Sequence, residues 1–368
     1  MWELHDDLVE EILCRVPATS LKRLRYTCKL WNRLFNDRKF TRKHFDKSPK
    51  ESLILMFKKL GVCSMSINLH RSPTAKITDE LNLIFPDSSL DQFKISPHCH
   101  SSDGLLLCSC VNYKKEDSRL VVLNPCTGQT KWIKPTHSCT VGYFYAFGSY
   151  QDNKSGNNSY KILSHTFNRG QYINFEIYDM NSNLWRTLDV TMDCNLKCFE
   201  SVSLKGKTYW IVSDEKEKEL GIFLISFDYT TEKFERLCLP YHEYPRYQKM
   251  SLSVVREEKL SVLLQPGITS NTEIWVTNKI GDETKVVSWI KVLALDLKPR
   301  HNFDVDFFVD EEKKVLVCTE DKAYNGQNKV YIVGEDSELR EVNYDVELRP
   351  YLFNYVPSLT QIIKQGND

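Results

Sequence analysis

The chain contains twelve cysteines and nine histidines, the residue types that most often hold metal ions or act as nucleophiles and bases. Their densest grouping is His98-Cys99-His100, followed by Cys108 and Cys110. No Cys-x-x-Cys pair occurs there, and Cys108 and Cys110 would lie on one side of a β-strand. This spacing favours reduced cysteines that act as small hydrophobic residues, so we expect no metal site and no cofactor.

The sequence motifs of common catalytic sites are missing. Gly-x-Ser-x-Gly, glycine-rich phosphate loops and His-Glu-x-x-His do not occur, and no spacing singles out a pair of carboxylates. The segment 126–132 faintly resembles the Asp-box turn of sialidases, but Cys126 stands where the aspartate belongs. We therefore predict no catalytic residues and a non-enzymatic protein, with an enzyme built on a β-propeller as the alternative.

Charge and hydropathy narrow the class of protein further. Lys plus Arg number 49, Asp plus Glu also number 49, and 41% of the 368 residues are hydrophobic. A zero net charge creates no overall field for nucleic acid, and no apolar run approaches the ~20 residues that cross a bilayer. The acidic start at Asp6 and Asp7 is not typical of a secretory signal. We expect a soluble protein of the cytoplasm and/or nucleus that binds neither nucleic acid nor membrane.

The first 47 residues have the periodicity of helices. Leu8, Ile12 and Val16 follow one another at four-residue steps, and Pro17 should end this first helix. Thr19 or Ser20 is predicted to cap a second helical stretch. Its apolar face would contain Leu21, Leu24, Cys28, Trp31 and Phe35. Some 40 residues bury too little surface to be stable alone, so these faces need either the rest of the chain or a partner.

After residue 50 the pattern changes to short β-strands separated by turn residues. Aromatic residues at Trp132, Trp185, Phe234 and Trp289 recur about every 50 residues, a period typical of kelch-like propeller blades with four strands each. Residues 51–345 would form about six blades, with 151–159 as a long hairpin tip. A strand near 351–356 would close the ring against 53–57. A stacked pair of β-sandwiches is the alternative arrangement.

The N-terminal segment closely resembles an F-box. The resemblance lies in the runs 7–17, 20–25 and 28–31, which read DLVEEILCRVP, SLKRLR and CKLW, together with Phe40 and His44. It implies a three-helix motif that binds a Skp-type adaptor and, through it, a cullin and a RING subunit. Two departures are Leu4-His5 in place of the usual Leu-Pro and Thr27 in place of the common valine.

By position, the same resemblance implies nine adaptor-binding residues: Leu8, Ile12, Leu13, Val16, Pro17, Leu21, Thr27, Cys28 and Trp31.

The remainder of the chain resembles the F-box-associated domain of a large plant family. The similarity is carried by 103–106, 124–125 with Trp132, 160–162, Gly206 with 209–210, 222–228 and 355–359. We therefore predict an α+β multidomain fold: a helical F-box at 1–47, a propeller-like substrate-binding domain at 51–360 and a tail at 361–368. The resemblance implies the substrate-recognition subunit of an SCF-type ubiquitin ligase, which brings an unidentified protein to ubiquitination. The alternatives are a propeller enzyme and a binding-only propeller with a degenerate F-box.

Overall fold

A computed structural model gives the fold. It describes residues 5–50, 53–58, 61–68, 74–82, 93–112, 114, 117–137, 143–152, 158–166, 175–190, 201–213, 222–240, 247–266, 271–280, 287–296, 303–320, 329–342 and 349–362. Side chains are described for most of these residues. The predicted hairpin tip at 151–159 and the predicted tail lie largely outside the described residues.

Residues 5–50 fold into four short helices, and we call this unit the helical head. They are α1 (Asp6–Leu13), α2 (Ala18–Leu24), α3 (Lys29–Leu34) and α4 (Arg38–Lys47). Asp6 and Asp7 lie in the first turn of α1, where carboxylates complement the helix dipole. The Asp37 side chain caps α4 by accepting a hydrogen bond from the Phe40 N–H at 2.9 Å.

The head differs from the sequence prediction in two respects. The structure has four helices where three were predicted, because the chain between α2 and α3 leaves the helix and Cys28 is extended, with φ −145°. The predicted cap at Thr19 or Ser20 is wrong, because α2 already begins at Ala18 after Pro17 and has no side-chain cap. A proline before the first turn fixes the chain direction without donating a hydrogen bond.

The rest of the described chain forms six four-stranded antiparallel sheets, so the predicted propeller fold is confirmed. Sheet 1 contains β1 (Leu53–Lys58), β2 (Gly61–Asn68), β3 (Thr74–Asn82) and β24 (Arg349–Tyr355). Sheet 2 contains β4 (Lys94–Ser102), β5 (Leu105–Asn112), β6 (Asp117–Leu123) and β7 (Thr130–Ile133). Sheet 3 contains β8 (Tyr143–Gln151), β9 (Asn158–Thr166), β10 (Phe175–Asp179) and β11 (Leu184–Leu188).

The other three sheets follow in chain order. Sheet 4 contains β12 (Ser201–Leu204), β13 (Lys207–Ser213), β14 (Ile222–Asp228) and β15 (Lys233–Leu237). Sheet 5 contains β16 (Tyr247–Val255), β17 (Lys259–Pro266), β18 (Asn271–Thr277) and β19 (Trp289–Asp296). Sheet 6 contains β20 (Phe303–Asp310), β21 (Val315–Glu320), β22 (Lys329–Val333) and β23 (Leu339–Val342).

The two ends of the β region meet in sheet 1. Strand β24 pairs antiparallel with β1, placing Leu53 opposite Tyr355 and Ile54 opposite Asn354. This pairing confirms the predicted closure and covers an edge of β1 that would otherwise be open to other chains. Most of the close backbone approaches between different sheets involve a strand at one end of each sheet, namely β24, β4, β8, β12, β16 or β20, and β1, β13 and β21 contribute others.

The aromatic repeat has a structural cause. Trp132, Trp185, Phe234 and Trp289 lie in β7, β11, β15 and β19, the fourth strands of successive sheets. The indole Nε1–H of Trp185 donates to the carbonyl oxygen of Lys134 at 3.1 Å, and that of Trp289 donates to Cys238 at 3.0 Å. Each of these bonds joins neighbouring sheets across a sequence separation of 51 residues. The repeat therefore marks the fourth strand of each of these sheets, and at Trp185 and Trp289 the aromatic residue also bonds to the preceding sheet.

The cysteines of sheet 2 lie in an apolar core. Cys99 pairs with Cys108 across β4 and β5, and both are buried with Cys110 among Leu106 and other hydrophobic residues. This environment agrees with their interpretation as small hydrophobic residues. The helices that the structure describes are all too short and too polar to cross a membrane.

Candidate functional site: the exposed face of the helical head

The helical head has its own small core. Leu13, Leu21, Phe35 and Phe40 are each at most 5% exposed, and Cys14 and Ala18 are buried with them. Around this core lie partly buried residues: Val9, Val16, Leu24, Trp31 and Leu34. The buried His44 links α4 to the chain after α1 through a hydrogen bond, in which its Nε2 lies 2.8 Å from the Val16 carbonyl oxygen. Burial lowers the pKa of His44, which favours the neutral ring.

Charged groups also join α1 to α4. Lys43 Nζ lies 2.8 Å from a carboxylate oxygen of Glu10, and Lys47 Nζ lies 2.7 Å from one of Glu11. Arg15 adds a second cation at 2.7 Å from Glu11. Hydrogen bonds from Lys47, Arg15 and Lys43 lower the pKa of the Glu11 carboxyl to about 2. These ion pairs are solvent-accessible, so their role is to align the two helices rather than to add much stability.

The described part of the head includes four large apolar side chains that are exposed to solvent. Leu8 and Ile12 are each 54% exposed, Leu30 is 57% exposed and Tyr26 is 85% exposed. Of the exposed large hydrophobic residues that the structure describes, only Leu184 and Ile290 lie outside the head. Four exposed large apolar residues on so small a unit are typical of a protein-binding surface.

The nine predicted adaptor-binding residues fall into three groups. Leu8, Ile12 and Thr27 are exposed, and Val16, Pro17, Cys28 and Trp31 are partly buried. Adaptor contact by these seven stays a prediction. Leu13 and Leu21 are 5% and 0% exposed, since the chain itself already covers them. We therefore assign these two to the core of the head rather than to its binding face.

Tyr26 and Leu30 were not among the nine predicted adaptor-binding residues. Both are apolar residues outside the helical face that was read from the spacing of Leu24, Cys28 and Trp31. The sequence does contain an indication of their role, because both are hydrophobic residues outside the apolar face of the predicted helix. A hydrophobic residue at such a position is expected to be exposed and therefore free to contact a partner.

The core of the head also contacts the propeller. Cys126, in the turn between β6 and β7, and Leu359, after β24, belong to the same apolar cluster as the head core. The Cys126 thiol lies 3.7 Å from the Ala18 carbonyl oxygen and donates to it. Cys126 is 6% exposed and Leu359 is 1% exposed. The head is thus attached through α2, while Leu8, Ile12, Tyr26 and Leu30 remain uncovered.

Comparisons with solved structures detect only a distant fold similarity. A prolyl endopeptidase chain gives a TM-score of 0.41 at 10% identity, covering 80% of this chain and 42% of that one. The β-propeller domain of the Trilobed protease from Pyrococcus furiosus gives 0.32 at 13% identity, covering 68% of this chain and 71% of that one. These values carry no argument about function.

Sequence comparisons are far more specific. An Arabidopsis thaliana relative named as an F-box protein is 60% identical over 371 residues, covering 100% of this chain and 99% of its own length. An F-box/kelch-repeat protein from the same plant is 44% identical over 390 residues, covering 99% of this chain and 97% of its own length. The F-box domain profile matches residues 1–43, and the F-box associated beta propeller domain profile matches residues 53–362. The chain therefore belongs to the family of F-box proteins that carry an F-box associated β-propeller domain.

Proposed function

We propose that this protein is the substrate-recognition subunit of an SCF-type ubiquitin ligase. In this proposal the exposed face of the head binds a Skp-type adaptor, which links the protein to a cullin and a RING subunit. The propeller selects a target protein. The observation that carries the proposal is that Leu8, Ile12, Tyr26 and Leu30 stay exposed on a head whose apolar core is shared with the propeller.

The energetics of this face support a stable contact. Fully burying one aliphatic side chain contributes about 1.5–3 kcal/mol, and Leu8 and Ile12 each have more than half of their surface still to bury. Tyr26 adds an aromatic side chain, a residue type enriched in the energetic centres of interfaces. Trp31 is partly buried and packs against the core of the head.

The protein would act without catalytic residues of its own. A receptor raises the effective concentration of a target lysine near the activated ubiquitin carrier, which converts an encounter in solution into a reaction within one complex. Such a role needs two rigid binding surfaces and no nucleophile. The lack of a recognisable catalytic motif in the sequence is compatible with that role.

The test is the purified full chain titrated with a Skp-type adaptor and then assembled with cullin and RING subunits. We expect the double substitution Leu8→Ser with Ile12→Ser to abolish adaptor binding and ubiquitin transfer. Leu184→Ser is the matched control, because Leu184 is 68% exposed on an outer strand of the propeller and should leave both unchanged. Wild-type affinity in the double variant would overturn the proposal.

The same double variant can identify targets. It keeps the complete propeller but cannot deliver a bound protein to the ligase, so targets should accumulate on it during affinity capture. A protein retained by the double variant and depleted with the wild type would be a substrate. Equal recovery of every bound protein with both chains would favour a binding-only role.

A further inference from the structure

The head is attached to the propeller through two neighbouring segments, which we call the seat. One is the turn at 124–129 between β6 and β7, which contributes Cys126. The other is the segment 356–362 after β24, which contributes Leu359. We propose that Asn124 is the positioning residue that builds this seat and so fixes the orientation of the head on the propeller.

Asn124 shapes the first segment through its side-chain oxygen. Its Oδ1 accepts hydrogen bonds from the backbone N–H groups of Cys126 at 2.8 Å and Thr127 at 3.1 Å. This arrangement folds the turn over the asparagine and directs Cys126 toward α2. The Tyr355 hydroxyl, at the end of β24, lies 3.5 Å from the same oxygen.

Asn124 holds the second segment through its side-chain nitrogen. Its Nδ2 donates to the carbonyl oxygens of Ser358 at 3.1 Å and Thr360 at 2.8 Å, on either side of Leu359. The residue is 0% exposed, and the amide has both hydrogens and its oxygen in use. One buried side chain therefore positions both of the propeller residues that belong to the apolar core of the head.

Other sheets show why an amide is needed at this position. In sheet 4, the carboxylate of Asp228 caps the equivalent turn by accepting from the N–H groups of Thr230 at 2.8 Å and Thr231 at 3.0 Å. An aspartate is sufficient to cap such a turn. The turn that contacts the head has asparagine instead. Its amide can also donate hydrogen bonds, which a carboxylate cannot, and here it donates them to segment 356–362.

Further contacts pin segment 356–362 to sheet 2. The Ser358 and Thr360 hydroxyls donate to the Asp103 carbonyl oxygen at 2.7 and 3.0 Å, and the Ile362 N–H donates to Gln129 Oε1 at 2.9 Å. The segment that follows ring closure thus serves as part of the attachment of the head. If the proposed ligase function holds, this seat fixes where the ligase core stands relative to a target on the propeller, a consequence that rests on that function.

The test uses amide hydrogen exchange on the purified full chain. Asn124→Asp keeps the oxygen that caps the turn but places a carboxylate oxygen against the carbonyls of Ser358 and Thr360. We expect exchange in α2 and in 356–362 to accelerate at least about tenfold, because local opening governs exchange of such amides. Asp228→Ala, the matched control, removes a turn cap remote from the head and should accelerate exchange only in its own turn.

Unchanged exchange in α2 for Asn124→Asp, or equal acceleration by Asp228→Ala, would overturn the proposal. Leu359→Ser provides a second route if Asn124→Asp does not fold, because it leaves the Asn124 hydrogen bonds in place. It should accelerate exchange in α2 while 356–362 stays protected, and unchanged exchange in α2 would again refute the proposal.

Adaptor affinity should stay within about twofold in these variants, since distant sites act independently. If no chain binds adaptor, the ligase proposal fails while the exchange result still decides the seat.

Discussion

Adjacent residues in α1 should give opposite results when each is truncated to alanine. Ile12 is 54% exposed and Leu13 is 5% exposed, so one faces solvent and the other the head core. About 100 Å² of Ile12 remains to be buried by a partner, worth about 2.5 kcal/mol at 25 cal/mol per Å². Alanine keeps roughly a third of that surface, so Ile12→Ala should weaken adaptor binding by about 1.5 kcal/mol, or roughly tenfold in Kd.

Leu13→Ala should act on folding instead. Removing a buried leucine costs about 2–5 kcal/mol through lost burial and the cavity left behind. Helices in the described part of the chain are confined to the head, so helical circular dichroism during urea unfolding reports its stability. The midpoint should fall for Leu13→Ala and stay near wild type for Ile12→Ala. Calorimetric titration with adaptor, at urea-free conditions where both variants are folded, gives the two affinities.

Two results would refute this reasoning. If Ile12→Ala binds adaptor as tightly as wild type while Leu13→Ala stays folded and loses affinity, the binding face has been assigned to the wrong side of α1. If both substitutions lower the unfolding midpoint equally, Ile12 is not the solvent-facing residue that its exposure indicates.

Three further predictions concern the propeller. Gly148→Ala should lower the unfolding free energy by about 2–4 kcal/mol in urea titrations, because a Cβ there would lie 2.1 Å from the fully buried Tyr229 ring. Adding Tyr229→Leu to this variant should restore part of the lost unfolding free energy. Burial, with the Asp103 charge beside it, raises the pKa of Glu257 to about 8, so stability should fall as pH rises from 4.5 to about 8; Glu257→Gln should flatten that slope. Trp289→Phe should cost about 1 kcal/mol by losing its bond to the Cys238 carbonyl, measured by the urea midpoint.

The β architecture could be predicted because its signals are local and repeated. The aromatic spacing from Trp132 to Trp289 follows from the position of these residues in the fourth strands of successive sheets. The segment 351–356 was predicted to pair with β1, and the structure pairs β24 with β1. The hairpin tip at Asp103 and Gly104 has positive φ angles of 53° and 75°, as expected for a tight two-residue turn.

The division of the head into a core and a binding face could not be predicted in full. Periodicity shows which residues need burial, but not whether the cover comes from a neighbouring helix, the propeller or a partner. Leu13 and Leu21 were therefore grouped with Leu8 and Ile12, although the head covers the first pair and leaves the second exposed.

The seat could not be predicted from the sequence, for a different reason. Asn124 binds Ser358 and Thr360 across sequence separations of 234 and 236 residues, and nothing in the local pattern specifies that contact. In the sequence, Cys126 stands out only as a departure from a catalytic turn. Its contact with Ala18 depends on ring closure, which brings the end of the chain beside the second sheet.

Hydrogen exchange of the full chain with and without a Skp-type adaptor tests the central claim most directly. The claim is that the head presents one apolar face to the adaptor while its other side rests on the propeller. We predict that adaptor protects amides in α1 and in residues 26–31 and leaves the turn at Cys126 and the segment around Leu359 unchanged. Protection at Cys126 and Leu359, or on the propeller strands with none in α1, would contradict the account.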